Sequence, residues 1–370
     1  MKKLGFGFMR LPLLDKDDIT SIDYATLNDM VDNFMQKGFR YFDTAYMYHE
    51  GVSEVAIRES VVKRYPRDSF MLADKMPTMF LKSKDEQKEI FKLQLERCGV
   101  DYFDNYLLHN LGAHNYQTAL KFDCFSYVQE LKKEGYAKRI GFSYHDNAAL
   151  LDEILSAHPY VDFVQLQINY LDWDNESIQS GKCYEVALKH KKPVIIMEPL
   201  KGGLLANIPE KAQELFRSIH PDMSVSSWGI RFAASLDNVE IVLSGMSDLS
   251  QLLDNTSYMQ DFIPLTDKEQ ATTGKVKQII KSAVAIPCTA CQYCVDTCPQ
   301  NIAIPKYFSL YNEKQHYGKD ALLPNLYYGN YSKTHGKASD CIECRICEEH
   351  CPQKLQIVNL LKDVAKAFEN

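Results

Sequence analysis

The sequence contains no apolar run approaching the roughly 18 residues of a membrane span, so no spanning helix is expected. It has no excess of basic residues either. Its 42 Lys and Arg stand against 49 Asp and Glu, a net charge of −7, which gives a nucleic acid or an anionic membrane surface nothing to bind. No Gly-x-Gly-x-x-Gly opens a helix. Gly5-Phe6-Gly7 stands at the chain start without a third glycine, which argues against an open dinucleotide-binding sheet. After Met1-Lys2-Lys3, the residues Arg10, Pro12 and Asp15 interrupt the apolar run and no small-residue cleavage site follows, so a cytoplasmic chain is expected. Cysteine is sparse over most of the length. Of the 11 in the chain, Cys98, Cys124 and Cys183 are scattered and read as small buried hydrophobes; the other eight crowd into residues 288–351.

What is present suggests a large domain and a small one: 370 residues, 45% hydrophobic and 25% charged. Strand-like runs occur at Leu4–Met9, Arg40–Asp43, Phe70–Lys75, Tyr106–His109, Ala137–Phe142, Phe163–Gln167, Val194–Met197 and Val239–Leu243. Amphipathic stretches alternate with them, at Tyr24–Lys37, Lys84–Cys98, Tyr116–Lys133, Ala148–Ala157, Tyr184–His190 and Ser224–Ala234. Strict alternation means a parallel sheet covered by helices, and eight repeats within about 255 residues match a closed (β/α)8 barrel. The expected organisation is a barrel over residues 1–265, a linking helix over 266–287 and a small cysteine domain over 288–370.

The eight clustered cysteines repeat one pattern twice: Cys288, Cys291, Cys294, Cys298-Pro299 and Cys341, Cys344, Cys347, Cys351-Pro352. Three thiolates spaced by two residues can reach three irons of a cube. In two-cluster ferredoxins the fourth ligates the other cluster. The expected ligand sets are therefore Cys288, Cys291, Cys294 and Cys351 for one [4Fe–4S] cluster, and Cys341, Cys344, Cys347 and Cys298 for the other. Tetrahedral zinc does not explain a third cysteine at the same short interval, and disulfides do not suit a cytoplasmic chain. The Tyr-rich, helix-compatible stretch Phe308–Tyr331 fills the long gap between the two runs, pointing to a mainly helical variant of a ferredoxin.

Polar residues end the apolar strands of the barrel: Asp43, Lys75, His109, Ser143, Gln165, Glu198 and Ser244. In such barrels the active site is built at those strand ends. The run Asp43-Thr44-Ala45-Tyr46-Met47-Tyr48, with Lys75 ending the next strand and His109 the one after, resembles the aldo-keto reductases. The resemblance covers roughly residues 4–256 and implies an oxidoreductase with an aldo-keto reductase type of barrel. It assigns Tyr48 as proton donor to a carbonyl oxygen, Lys75 as the cation that lowers the phenol's pKa, Asp43 as partner of Lys75, and His109 as orienter of the substrate. His49, His114 and His145 lie near the same mouth and receive no role.

For a nicotinamide cofactor, NADPH or NADH, the resemblance implies Ser143, Gln165 and Met197 near the ring. Leu200, Lys201 and Gly202 follow in a loop over the pyrophosphate, and Ser244, Gly245, Gln251 and Asn255 form the adenosine end. Tyr144 stands where the family commonly has Asn, Met197 where an aromatic stacks, and Gln251 where NADP-users place Arg. Together the two parts resemble a branch of the aldo-keto reductases with a C-terminal two-cluster ferredoxin-type domain. Hydride carries two electrons and a cluster accepts one, so a flavin would be the ordinary mediator. Three functions remain open. The chain is a reductase of a small carbonyl (or oxidant of an alcohol) whose clusters exchange electrons with a partner protein or cofactor; or an ordinary reductase with structural or redox-sensing clusters; or an electron-transfer or binding module with an inactive barrel.

Overall fold

The computed structural model describes residues 2–175, 178–317 and 322–369. The eight strand-like runs form β1 (Leu4–Gly7), β2 (Tyr41–Asp43), β3 (Met71–Met76), β4 (Phe103–Leu111), β5 (Ala137–Tyr144), β6 (Phe163–Gln167), β7 (Val194–Met197) and β8 (Val239–Gly245). Each pairs in parallel with the next, and β1 also pairs with β8, so the sheet closes into a barrel in chain order. Parallel neighbours require a crossover connection, which the intervening helices supply.

Successive side chains of a strand face opposite ways, and this sets the interior. Tyr41, Ala73, Leu107, Phe163, Ile195, Ile241 and Leu243 form a buried apolar layer inside the barrel. Two residues further along the same strands, and so on the same face, stand Asp43, Lys75, His109, Gln165 and Met197. The polar set at the mouth is thus the next layer of the alternation. Packing inside is close enough to require glycine on β5: a Cβ at Gly141 would lie 2.5 Å from the Phe163 carbonyl oxygen.

The expected helices form, with one break. The stretch Tyr116–Lys133 divides into Ala113–Lys121 and Cys124–Glu134. Asp123 between them has φ 56°, a left-handed conformation that cannot continue an α-helix. Side chains of Asp23, Asn147 and Asp248 cap the helices they precede by accepting a backbone N–H in the first turn. Among the described residues no helix is long and apolar enough to cross a membrane.

The chain forms two compact units: Met1–Pro199 with Ser226–Asp267, and Leu200–Val225 with Lys268–Asn370. One division falls after Asp267, and residues 200–225 group with the C-terminal unit. Within that unit Lys201 bonds Gln353 and His220 bonds Glu269, which ties the segment to its later residues. The linking helix runs Asp267–Ala283, and the long gap between cysteine runs holds helices Ile304–Tyr317 and Leu322–Tyr331; residues 318–321 of the Tyr-rich stretch lie outside the described residues. Tyr307, Phe308 and Tyr328 are core residues, Tyr328 stacking on Phe368 of the last helix at 4.7 Å between centroids.

Candidate functional site

Asp43, at the end of β2, accepts from the Lys75 ammonium at 2.5 Å, and Lys75 also donates to the Thr44 carbonyl at 2.6 Å. Lys75 is fully buried and Asp43 is 3% exposed. Burial pushes the Asp43 carboxyl above its usual value, and Lys75 pulls it back. The half-buried Tyr48 ring has its centroid 5.0 Å from the same ammonium and meets the His109 ring edge-on, centroids 5.9 Å apart at 82°. The four residues singled out in sequence stand together.

One physical expectation about them is corrected. Lys75 directs hydrogen bonds to Asp43 and Thr44. The Tyr48 pKa is raised well above the ordinary value by burial, with Asp43, Glu198 and Asp74 adding to the rise and Arg10 opposing it. The phenol is therefore held protonated, the form a proton donor needs. His109 moves the other way: burial first, then Lys75 and His145, hold its pKa well below the usual value. It is a neutral imidazole whose Nδ1 has no hydrogen-bond partner.

Behind Lys75 lies a buried network that the sequence reading missed. Gln94 donates to the Lys75 carbonyl at 3.0 Å and to Glu54 at 3.1 Å, and accepts from the Tyr106 hydroxyl at 2.6 Å. Arg97 pairs with Glu54 at 3.0 Å. Asp74, wholly buried beside Glu54, has its pKa raised well above normal by burial and by that neighbouring charge. Strand alternation was the available signal: if Lys75 faces the barrel interior, Asp74 faces the helices, where a lone carboxylate is unusual.

The Ser143 hydroxyl accepts the Asn110 backbone N–H at 2.7 Å. Gln165 approaches the Met197 sulfur at 3.5 Å through its amide nitrogen, while its buried Oε1 has no hydrogen-bond partner. Asn255 donates to Ser244 at 3.0 Å and Gly245 follows at the exposed strand end, its absent side chain leaving room for the Arg10 stem. Gln251 is bound to Asp248, donating through its backbone at 2.9 Å and its side chain at 2.8 Å. Burial raises the Asp248 pKa, but hydrogen bonds from Ser250 and Gln251 outweigh it and hold the group below the ordinary value. His49 is buried in loop contacts, to the Ile19 carbonyl at 2.5 Å and the Leu11 N–H at 3.3 Å, and His114 is exposed.

In the C-terminal unit the eight clustered cysteines line two cavities. Cys288, Cys291, Cys294 and Cys351 line one, with Thr289, Gln353 and apolar residues around them. Cys298, Cys341, Cys344 and Cys347 line the other. Each run supplies three cysteines to one cavity and its Cys-Pro cysteine to the other. No group of three or more His, Cys, Asp or Glu among the described residues gathers around a point that could hold a single ion. Four cysteines around each cavity match the donor count of a [4Fe–4S] cube.

Residues 3–278 match the sequence profile of the aldo/keto reductase family. The chain belongs to that family. Residues 287–355 of this aldo/keto reductase match a second profile, a 4Fe-4S dicluster domain. An uncharacterised oxidoreductase of Bacillus subtilis is 22% identical over 285 residues, 69% of this chain and 86% of the relative. An aldo-keto reductase of Mycolicibacterium vanbaalenii is 31% identical over 65% of this chain and 80% of its own length. The NADH-specific methylglyoxal reductase of Escherichia coli is 27% identical over 45% and 54%. Two solved aldo-keto reductases share the fold over 74% of this chain. The Bacillus halodurans holo form covers 91% of itself at 23% identity and TM-score 0.59; the Klebsiella pneumoniae complex with NADPH covers 90% at 19% and 0.57. The aldo/keto reductase family makes this chain an oxidoreductase.

Proposed function

We propose that the barrel reduces a small carbonyl compound with a nicotinamide dinucleotide, and that two [4Fe–4S] clusters in the C-terminal unit exchange single electrons with a partner protein or cofactor. The observation that supports the first part most is the gathering of a protonated Tyr48, a buried Lys75–Asp43 pair and a neutral His109 at one mouth. The dinucleotide, when bound, supplies the hydride. Tyr48 gives its phenol proton to the carbonyl oxygen, and the adjacent Lys75 then stabilises the phenolate that is left. A neutral His109 offers one ring N–H to hold that oxygen in line. Gln165, with an unsatisfied buried carbonyl oxygen, and Ser143 would bind the carboxamide, and Ser244 and Asn255 the adenosine end.

We infer NADH as the preferred cofactor. Gln251 stands where the family resemblance puts the cation for a 2′-phosphate, and it is tied to an ionised Asp248 that would repel that phosphate. The kcat/KM with NADH should exceed that with NADPH at least about tenfold, about 1.4 kcal/mol in transition-state binding. Equal values would refute the assignment of Asp248 and Gln251.

The donor sets of the two cavities fit two clusters: four thiols each, partly buried among apolar side chains. A second reading has support of its own, because Cys294, Cys347 and Cys351 belong to the core of the C-terminal unit and clusters there would hold it together. Oxidised, anaerobic protein given NADH separates the two. Electron exchange predicts bleaching of the cluster absorbance, directly or once a flavin is added. Clusters that dithionite reduces but NADH with flavin does not would favour the structural reading.

A further inference from the structure

The two cysteine cavities are not equivalent electrically. A buried lysine reaches a wall residue of the first. The Lys201 ammonium donates to Gln353 Oε1 at 2.5 Å, and the two residues are 2% and 5% exposed. Gln353 is a wall of the cavity lined by Cys288, Cys291, Cys294 and Cys351. The next residue fixes the approach: Gly202 has φ +65°, and a Cβ there would lie 2.6 Å from the carbonyl oxygen of Thr289, another wall of that cavity. The backbone carrying Lys201 is pressed against the cysteine loop as closely as glycine allows. The second cavity has a cation in its own wall, but an exposed one: Arg345 is paired at 3.1 Å with Glu348, and Cys344 of the same cavity is exposed too.

A reduced cluster carries one more negative charge than an oxidised one. A buried cation therefore favours reduction, whereas the exposed Arg345, screened by solvent and paired with Glu348, does so less. We propose that Lys201 sets the redox order of the two clusters: held by Gln353 at the first cavity, it makes the cluster of Cys288, Cys291, Cys294 and Cys351 the more readily reduced. This rests on the cluster reading above. The step is a one-electron reduction by an external donor, with no proton or bond transferred. Lys201 is then a tuning residue for the cluster, and the charge that family resemblance assigned to a pyrophosphate is committed within the C-terminal unit.

The test is a mediated redox titration of full-length holoprotein, followed by electron paramagnetic resonance, with iron and sulfide counted for every variant. Wild type should show two one-electron steps. Lys201→Gln should move only the upper step to lower potential, by about a tenfold change in the reduction equilibrium, equivalent to 59 mV for one electron. Lys201→Arg should restore it. Gln353→Glu, which keeps the lysine and adds a negative charge, should lower the same step. An upper step that stays in place in both Lys201→Gln and Gln353→Glu, with iron retained, overturns the proposal. So does an equal displacement of both steps, which would report net charge alone. Wild type that binds no iron would instead fail the cluster reading.

Discussion

Tyr48 sits against a buried ion pair, and its chemistry depends on that neighbourhood more than on its own phenol. Tyr48→Phe removes one oxygen from a half-buried ring and leaves the Lys75–Asp43 bond in place. Carbonyl reduction should fall at least about 10²-fold in kcat, with dinucleotide affinity by fluorescence titration nearly unchanged. A variant keeping a tenth of the wild-type kcat would show that another group donates the proton. His109 gives a pH prediction with a definite sign. Its folded pKa lies well below the usual 6.5, so above that value neither state binds the proton and nothing is lost. Below it the unfolded chain takes up a proton that the folded chain refuses, and stability falls by up to about 1.4 kcal/mol per pH unit. Replacing His109 by Gln removes that loss. The difference in urea unfolding free energy between wild type and variant should shift in the variant's favour from pH 6.5 to 5; His49 and His158, also depressed, cancel in the comparison. A difference that stays constant would mean His109 protonates normally in the fold. Asp43, Lys75 and His109 were legible because they end strands of one barrel, whereas Tyr48, beyond the end of β2, was legible only through the motif it shares with the family. The direction of the Tyr48 shift was not, because it depends on burial and on Glu198 and Asp74, which only the folded chain brings near.

Strands and helices were legible to the extent that their patterns are local. Each of the eight expected strands overlaps an observed one, since a barrel strand is a short apolar run with a fixed alternation. The split of Tyr116–Lys133 was hidden, because Asp123 interrupts a pattern whose apolar spacing continues on both sides. Close packing was equally invisible and gives a paired test. Gly141→Ala on β5 drives a methyl group to 2.5 Å from the Phe163 carbonyl and should cost about 1–3 kcal/mol of stability. Gly274→Ala, on the helix Asp267–Ala283 with nothing within 4 Å of the new Cβ, should instead stabilise by about 0.5–1 kcal/mol. Urea midpoints of the two variants at equal iron content decide it. A neutral Gly141→Ala would show that the barrel yields there.

At the scale of the molecule, the cluster count is the plainest expectation. Anaerobically purified protein should contain about eight iron and eight acid-labile sulfide per chain. Tight zinc binding with no uptake of iron on reconstitution would contradict both cavities' assignment. The two-unit division changes what truncation means. Cutting after Asp267 deletes Gln353, Thr289 and Glu269, the neighbours of Lys201, Gly202 and His220. The truncated chain should therefore have a lower unfolding midpoint than the holoprotein even if its tetrad is intact. An unchanged midpoint would show that residues 200–225 hold their shape without the C-terminal unit.

That division also imposes a schedule on synthesis. Lys201 leaves the ribosome 152 residues before Gln353. At about 5–20 residues per second this is a wait of roughly 8–30 s. During it the connection between β7 and β8 has been made but lacks its later neighbours. Barrel closure thus precedes completion of the C-terminal unit, with an interval in which the 200–225 segment waits for the neighbours it has in the finished chain.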